Sequence, residues 1–375
     1  MIRQVQTKRD FNQFLEFPYQ LYNHILPKSK WVAPLRMAVE EQLSPDKNPF
    51  FKEGGQCHQY LATDSADHVV GRFSVSYSPA YVQKWNHEAA FFGFYEQIDD
   101  PALAKEIFQT ARQEAKKLYG VQELIGPVNI STNYQIGLLL DKYDEYPYID
   151  MLYNPPYYSK LFETSGYWQK AMDLYAYNFD AQTQMNPKVH RVVDLLKKRH
   201  NVQIRQISFK NFEQDSEIMR QVYNDAWSEN WGFIPLSKDE WDFVVKDMKK
   251  IAREDLILIG TIHGEPCGFS TVLPDLNLVL RHIPNGKLLP TGIFKLLLGQ
   301  RKINRGRLLV LGIKKKYQHL GLGSIFYTES QTRGRNVGYT GGELSWVLES
   351  NHTLVNSLKQ VNAQKAKTYR LYKSS

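Results

Sequence analysis

Apolar residues fall into two rhythms along the chain, and each rhythm predicts a kind of element. Residues 101–119 carry them at the spacing of an amphipathic helix. Val189, Val192, Val193 and Leu196 repeat that spacing behind Asn186-Pro187, a helix-capping residue followed by proline at the first helical position. Shorter apolar or alternating runs predict strands at 60–63, 69–77, 90–95 and 174–179. In the second half helices are predicted over 211–227, 238–252 and 294–304, after Gly323 and after Asn351, with strands at 255–262, 267–273, 308–313 and 343–348. Such alternation predicts a mixed α/β class. No Ser/Gly-rich or Pro-rich linker separates the halves, so the expected boundary is compact and lies near 180–186, giving domains 1–180 and 181–375.

Composition permits two cores. The chain has 375 residues, 42% hydrophobic and 23% charged, which excludes a small stapled scaffold and disorder as the main state. Its net charge of +8 is uneven: residues 1–180 hold 17 basic and 22 acidic side chains, and residues 181–375 hold 30 and 17, a local net of +13. A local positive field suits a polyanionic ligand, whether a phosphorylated cofactor, a nucleic acid or a membrane surface. Cys57 and Cys267 stand far apart without metal-ligand spacing, so neither a disulfide framework nor a metal is expected. The first ten residues are polar, and no apolar run approaches the ~20 residues of a membrane span. A cytoplasmic protein without a membrane partner is therefore expected. Asn154, Leu161, Lys170 and Tyr175 fall on Asn351, Leu358, Lys367 and Tyr372 at a constant offset of 197, which Gly71 and Gly268 share, as in a duplicated domain.

The apolar run 308–313 leads into Lys314, Lys315, Lys316, Tyr317, Gln318, His319, Leu320, Gly321, Leu322 and Gly323, before a predicted helix that opens at Ser324. A strand, a basic glycine-containing turn and a helix start form an anion cradle, because glycines let the backbone approach closely and several N–H groups point outward together. A Walker loop would need GxxxxGK[ST], and a dinucleotide fingerprint would need a third glycine where Phe326 stands, so neither fits. The spacing of Gln318, Gly321 and Gly323 fits Q/RxxGxG/A, the pyrophosphate signature of the GCN5-related N-acetyltransferases (GNATs), and the second half resembles that superfamily. The strand at 343–348 and the Asn351-led helix extend the likeness. More distantly, the chain resembles bacterial proteins with two such domains in tandem, through segments 17–22, 31–35, 48–50, 93–96, 126–129 and 153–158.

The resemblance implies two tandem GNAT-like domains, each a mixed, mostly antiparallel twisted sheet flanked by helices. It implies acetyl or short-acyl transfer from acetyl-CoA to a small-molecule or peptide amine, without a metal, and it allows a homodimer. The cofactor residues it implies are Leu311, Gly312, Ile313, Gln318, His319, Leu320, Gly321, Leu322, Gly323, Ser324 and Asn351. The pantetheine arm would pair with 309–314 where this strand splays from 343–348, and an N–H near Gly312 or Ile313 would meet the oxyanion. Strand alternation places Glu343 and Ser345 on one face, and Glu343 is the expected general base. The family's acid, a tyrosine seven residues after the helix-leading Asn, is replaced by Leu358, which leaves Tyr369 and Tyr372 as candidates. In the first half Gln97, Ile98, Asp99, Asp100 and Pro101 stand where the turn should be, and the aspartates would repel a pyrophosphate. That half is expected to be a lid or substrate platform.

Other groups carry two readings each. Arg301, Lys302, Arg305 and Arg307 hold a ribose phosphate or coat a helix, while Phe91, Phe92, Tyr157 and Tyr158 line a pocket or fill a core. Three alternatives to catalysis on a free amine remain: an inactive acyl-CoA binder or sensor, nucleic-acid binding through the basic half, and aminoacyl transfer from a charged transfer RNA. No RNP, zinc-finger or helix-turn-helix signature supports the second, and the acidic first half argues against the third.

Overall fold

The computed structural model describes residues 1–181, 187–360 and 363–374, so the expected cap Asn186 lies outside the described residues. Thirteen strands occur among them: β1 (Ile2–Gln4), β2 (Gln56–Thr63), β3 (Val69–Tyr77), β4 (Ala89–Gln97), β5 (Glu123–Gly126), β6 (Leu138–Leu139), β7 (Trp168–Asp180), β8 (Val202–Gln206), β9 (Ile257–Ile262), β10 (Glu265–Pro274), β11 (Arg305–Ile313), β12 (Gly341–Leu348) and β13 (Gln364–Ser374).

The chain forms two compact units. Unit 1 comprises Met1–Leu174, Asn277–Gly299 and Lys367–Ser375; unit 2 comprises Tyr175–Leu276 and Gln300–Ala366. This division differs from contiguous halves cut after Asp180, and strand pairing is the reason. The end of β13 lies beside β5, with Tyr372 opposite Gly126 and Lys373 opposite Ile125, so the last residues complete unit 1. The end of β7 lies beside β12 and completes unit 2.

In unit 1 the sheet runs β1-β2-β3-β4-β5-β13, antiparallel except for the parallel pair β4/β5. The helix Pro101–Tyr119 buries Leu103, Ala104, Ile107, Phe108, Ala111 and Ala115 on it. Phe92, Phe108, Phe162 and Trp168 pack there with ring centroids 4.9–6.2 Å apart, contacts that add to the ~1.5–3 kcal/mol each large apolar side chain gains from burial. Phe91 and Phe92 are thus core residues. The helix Lys8–Gln20, not predicted from sequence, begins with a Thr7/Asp10 capping box and carries Pro18 inside it, the residue that breaks the helical signal.

Unit 2 has the order β7-β12-β11-β10-β9-β8, with β11/β12 as its parallel pair. Alternate residues of β9 face opposite layers. Ile257 and Ile259 pack with the helices Phe212–Ala226 and Lys238–Ile251, whereas Leu258 packs with Pro187–His200 and Gly323–Asn336. Both faces are covered, which is why this strand reads as a continuous apolar run.

The repeated residues occupy matching places. Gly71 and Gly268 each sit opposite the preceding strand of a hairpin, and Asn154 and Asn351 each precede a helix that buries Leu161 or Leu358. Each unit is a mixed, mostly antiparallel sheet flanked by helices.

Candidate active site

β11 and β12 are paired only from Arg305 opposite Gly341 to Leu308 opposite Leu344. Beyond that point they part, while β11 stays paired with β10 up to Ile313. The departure coincides with a bulge, since Thr271 faces Val310 but Val272 faces Leu308, leaving Leu309 as the extra residue. The Lys314 amide donates to the Cys267 carbonyl at 2.9 Å, and this fixes the alternation along β11. Gly312 directs its amide to β10, whereas Leu311 and Ile313 direct theirs into the gap left by β12. Of the two positions expected to offer an N–H, Ile313 is the one that faces the gap. Gly312 is required by packing instead: a Cβ there would lie 2.3 Å from the Trp227 ring.

The turn is built on a 3₁₀ segment, Lys315–Leu320. Gln318 uses its side-chain amide to donate to the Ile313 and Ala226 carbonyls at 3.1 and 3.3 Å, so it pins the turn to the strand end. Gly321 adopts φ +72°, and no atom lies within 4 Å of where its Cβ would be. Its N–H and that of Ser324 make long bonds of 3.4 and 3.3 Å to the Gln318 and Gly321 carbonyls. The amides of Leu322 and Gly323 enter none of the turn's hydrogen bonds. The helix Gly323–Asn336 has no side-chain cap, whereas Thr7, Asn48, Ser78, Asp100 and Ser237 each cap the helix they precede. The Leu322 and Gly323 amides thus stay open to an anion, while the Ile325 amide donates to the Leu322 carbonyl at 3.0 Å. His319 is exposed and Leu320 half-buried beside them. The three lysines are paired, Lys314 and Lys316 with Glu265 and Lys315 with Glu229.

Glu343 lies directly opposite Arg307, the residue before the last strand pair. It is 1% exposed. Ser345 donates to the Glu343 Oε1 at 2.7 Å and accepts from the Arg307 Nε at 2.8 Å, and Arg307 also donates to the Ser345 carbonyl. Sequence reasoning placed Glu343 and Ser345 on one face but missed Arg307, whose guanidinium reaches Ser345 from the neighbouring strand. The basic run containing Arg307 divides accordingly: Arg305 pairs with buried Asp275 at 2.7 Å, and only Arg301 and Lys302 are exposed. Asn351 caps the following helix, its Oδ1 accepting from the Leu354 amide at 3.0 Å.

Tyr369 and Tyr372 are placed elsewhere. Both lie in the part of β13 that belongs to unit 1, where Tyr369 pairs with Leu139 and the Tyr372 ring packs 5.0 Å from Phe162. Burial raises the Tyr372 phenol well above its ordinary value, which suits a packed ring better than a proton donor. Leu358 is fully buried in unit 2. Burial also pushes the Cys267 thiol up to about 11, so it is a poor nucleophile at neutral pH.

In unit 1 the corresponding strands also part, but the chain fills the gap. β4 and β5 pair only to Phe91 opposite Ile125. The Val128 amide then donates to the Phe92 carbonyl at 2.8 Å, and the Asn129 Oδ1 accepts from the Phe94 amide at 2.7 Å. Asp100 accepts from the Ala102 and Leu103 amides and occupies the helix start that would receive a phosphate. The same unit holds a carboxylate that sequence reasoning did not single out. Glu96 Oε2 accepts from Tyr22 and Tyr158 at 2.7 and 3.0 Å, with Arg72 as its cross-strand neighbour. Tyr22 stacks on Trp31 and meets Tyr153 edge-on. Four of the resembling segments therefore converge on Glu96, and that convergence was the available signal.

A small apolar cavity in unit 2, about 40 Å³, lies against the paired part of β11 and β12. Gly306, Leu308, Gly341, Leu344, Tyr327 and Gly334 are among its walls. Among the described residues no cluster of three His, Cys, Asp or Glu side chains could hold a metal, and no helix is long and apolar enough to cross a membrane.

No protein-family model matches the chain. It is 31% identical over 381 residues to the bacterial ceramide synthase of Caulobacter vibrioides, covering 99% of this chain and 96% of that one. It is 29% identical to protein YghO of Escherichia coli, covering 99% and 94%. Among solved structures, a tandem GNAT protein from the clavulanic acid biosynthesis pathway covers 100% of this chain and 97% of its own, with a TM-score of 0.55 at 8% identity.

Proposed function

The chain belongs to the family of the Caulobacter bacterial ceramide synthase and has the tandem GNAT fold, and from that premise we propose that it is an acyl-CoA-dependent N-acyltransferase acting on a long-chain amine. The observation that carries the reading is the parting of β11 from β12 beside a helix whose opening amides are uncapped. In this proposal Gly321, Leu322, Gly323 and Ser324 receive the diphosphate of the acyl donor, flanked by His319 and Leu320. Leu311 and Ile313 offer backbone donors to its pantetheine arm and to the oxyanion, and Asn351 borders the arm. Gln318 and Gly312 act by holding the turn and the strand in place. Unit 1, whose gap is filled by Val128 and Asn129, serves as platform rather than donor site.

The reaction joins the amine nitrogen to the acyl carbon and breaks the carbon–sulfur bond. The amine must lose a proton and the thiolate must gain one. Glu343, reached through the Ser345 hydroxyl that donates to it, is proposed to take the first. A thiolate whose conjugate acid titrates near ~8.5 is protonated readily by water, so no dedicated acid is needed. Tyr369 and Tyr372 are therefore not assigned the task.

The relative's name favours a fatty acyl group over acetyl, since a ceramide is the amide of a fatty acid with a long-chain amino alcohol. We place the reaction in the cytoplasm.

Calorimetry with palmitoyl-CoA tests the donor site. Gly323→Asp is the cleaner probe, because Gly321 sits in the left-handed region, where any side chain adds strain. Gly323→Asp is expected to weaken binding by at least roughly 100-fold with an unchanged melting curve, since one carboxylate would face a diphosphate. Unchanged affinity would remove the donor site. Binding without thiol release from any long-chain amine would reduce the protein to an acyl-CoA binder.

A further inference from the structure

The helix Gly292–Gln300 turns an apolar face outward. Leu289, Phe294, Leu297 and Leu298 are 77%, 66%, 57% and 66% exposed, and the last three lie at helical i, i+3, i+4 spacing. The opposite side is packed. A Cβ on Gly299 would lie 2.5 Å from Val279, and one on Gly292 would lie 2.3 Å from the Lys287 carbonyl oxygen. The segment is also tied down within unit 1. Asn277 donates to the Pro147 and Tyr148 carbonyls at 3.0 and 2.9 Å, and the Arg36 amide donates to the Gly286 carbonyl at 3.0 Å. The apolar face is therefore a fixed feature of a docked helix, not the side of a frayed segment.

The charge along this stretch of the chain has one sign. Residues 276–328 contain no Asp or Glu and ten Lys or Arg. Lys287, Lys295, Arg301 and Lys302, on or beside the helix, are exposed. Four large apolar side chains within a basic rim complement a surface that is apolar inside and anionic at its edge. A second copy of this chain does not meet that description, because a two-fold contact through the patch would bring its lysines and arginines against their own images. A helix of nine residues is too short to span a bilayer but long enough to lie in the headgroup region.

We propose that this face docks the protein on anionic phospholipid membranes. The expectation of no membrane partner came from the lack of a spanning segment, and surface docking needs none. The inference rests on unit 1 and its flanking basic residues and does not depend on the acyl-CoA reading.

Cosedimentation of the full-length protein with vesicles tests it, using equal parts phosphatidylglycerol and phosphatidylcholine against phosphatidylcholine alone. Wild type is expected to bind the anionic vesicles, and to bind them more weakly at high salt. Phe294→Ser/Leu298→Ser and, separately, Lys287→Glu/Lys295→Glu should each lower the partition by at least roughly tenfold. Both should leave palmitoyl-CoA binding and the melting curve unchanged, which separates this inference from the donor site. Absence of wild-type binding, equal binding by the variants, or a dimer in size-exclusion chromatography that the Phe294→Ser/Leu298→Ser variant dissolves without lipid dependence would overturn it.

Discussion

The Glu96 carboxyl is pushed up to about 7 by burial, against which Arg72 and the Tyr22 and Tyr158 hydroxyls act only partly. The native state therefore holds this proton to higher pH than the unfolded chain, whose ordinary value is 4.5. Below the unfolded value the group is neutral in both states and costs nothing. As pH rises from 4.5 to about 7 the cost of keeping it buried grows, and above 7 it levels at about 3 kcal/mol. Glu96→Gln keeps an oxygen for both tyrosines and removes the charge. Urea denaturation should find it more stable than wild type at pH 8 and equal to it at pH 4; an equal gap at both would show that the charge is not the cause. Ser345 poses the opposite case. Ser345→Ala takes a donor from Glu343 and an acceptor from Arg307, both buried, and should cost about 1–3 kcal/mol by the same measurement. Glu343→Gln should lower kcat by about 10²–10⁴ with palmitoyl-CoA affinity intact if the carboxylate takes the proton. A fall in stability alone would leave it as the counter-ion of Arg307.

Among the elements, the helix Gly323–Asn336 carries two features at once, open amides at its start and part of the apolar cavity along its side. The long strands and the turn were legible because their signals are local: β9, β10 and β11 are mostly apolar runs, and the break between strand and helix is written in the spacing of Gly321 and Gly323. β5 and β6 were not, being four and two residues long with no period to read. Arg307 was not legible as the partner of Glu343, since 36 positions separate residues that only the parallel pairing of β11 and β12 makes neighbours. The partners of Tyr369 and Tyr372 were hidden for the same reason, because nothing near them in sequence reveals that they lie beside β6 and β5.

At the level of the whole molecule, each unit depends on residues distant in the chain. Unit 1 includes Lys367–Ser375, and unit 2 includes the end of β7. Fragments 1–180 and 181–375 should therefore each fail to fold alone and regain acyl-CoA binding when refolded together. Independent cooperative melting of either fragment would refute this. Truncation after Ala366 should lower the melting transition of unit 1, because the backbone groups of β5 that face Tyr372 and Lys373 lose their partners. The two-unit fold resembles a tandem GNAT structure along its whole length at 8% identity, so this architecture survives almost complete replacement of side chains. One consequence concerns biosynthesis. A ribosome releases the amino-terminal portion long before it reaches Tyr372, so unit 1 waits with β5 uncovered until that residue emerges, and a nascent chain stalled before it would present the bare strand to other polypeptides.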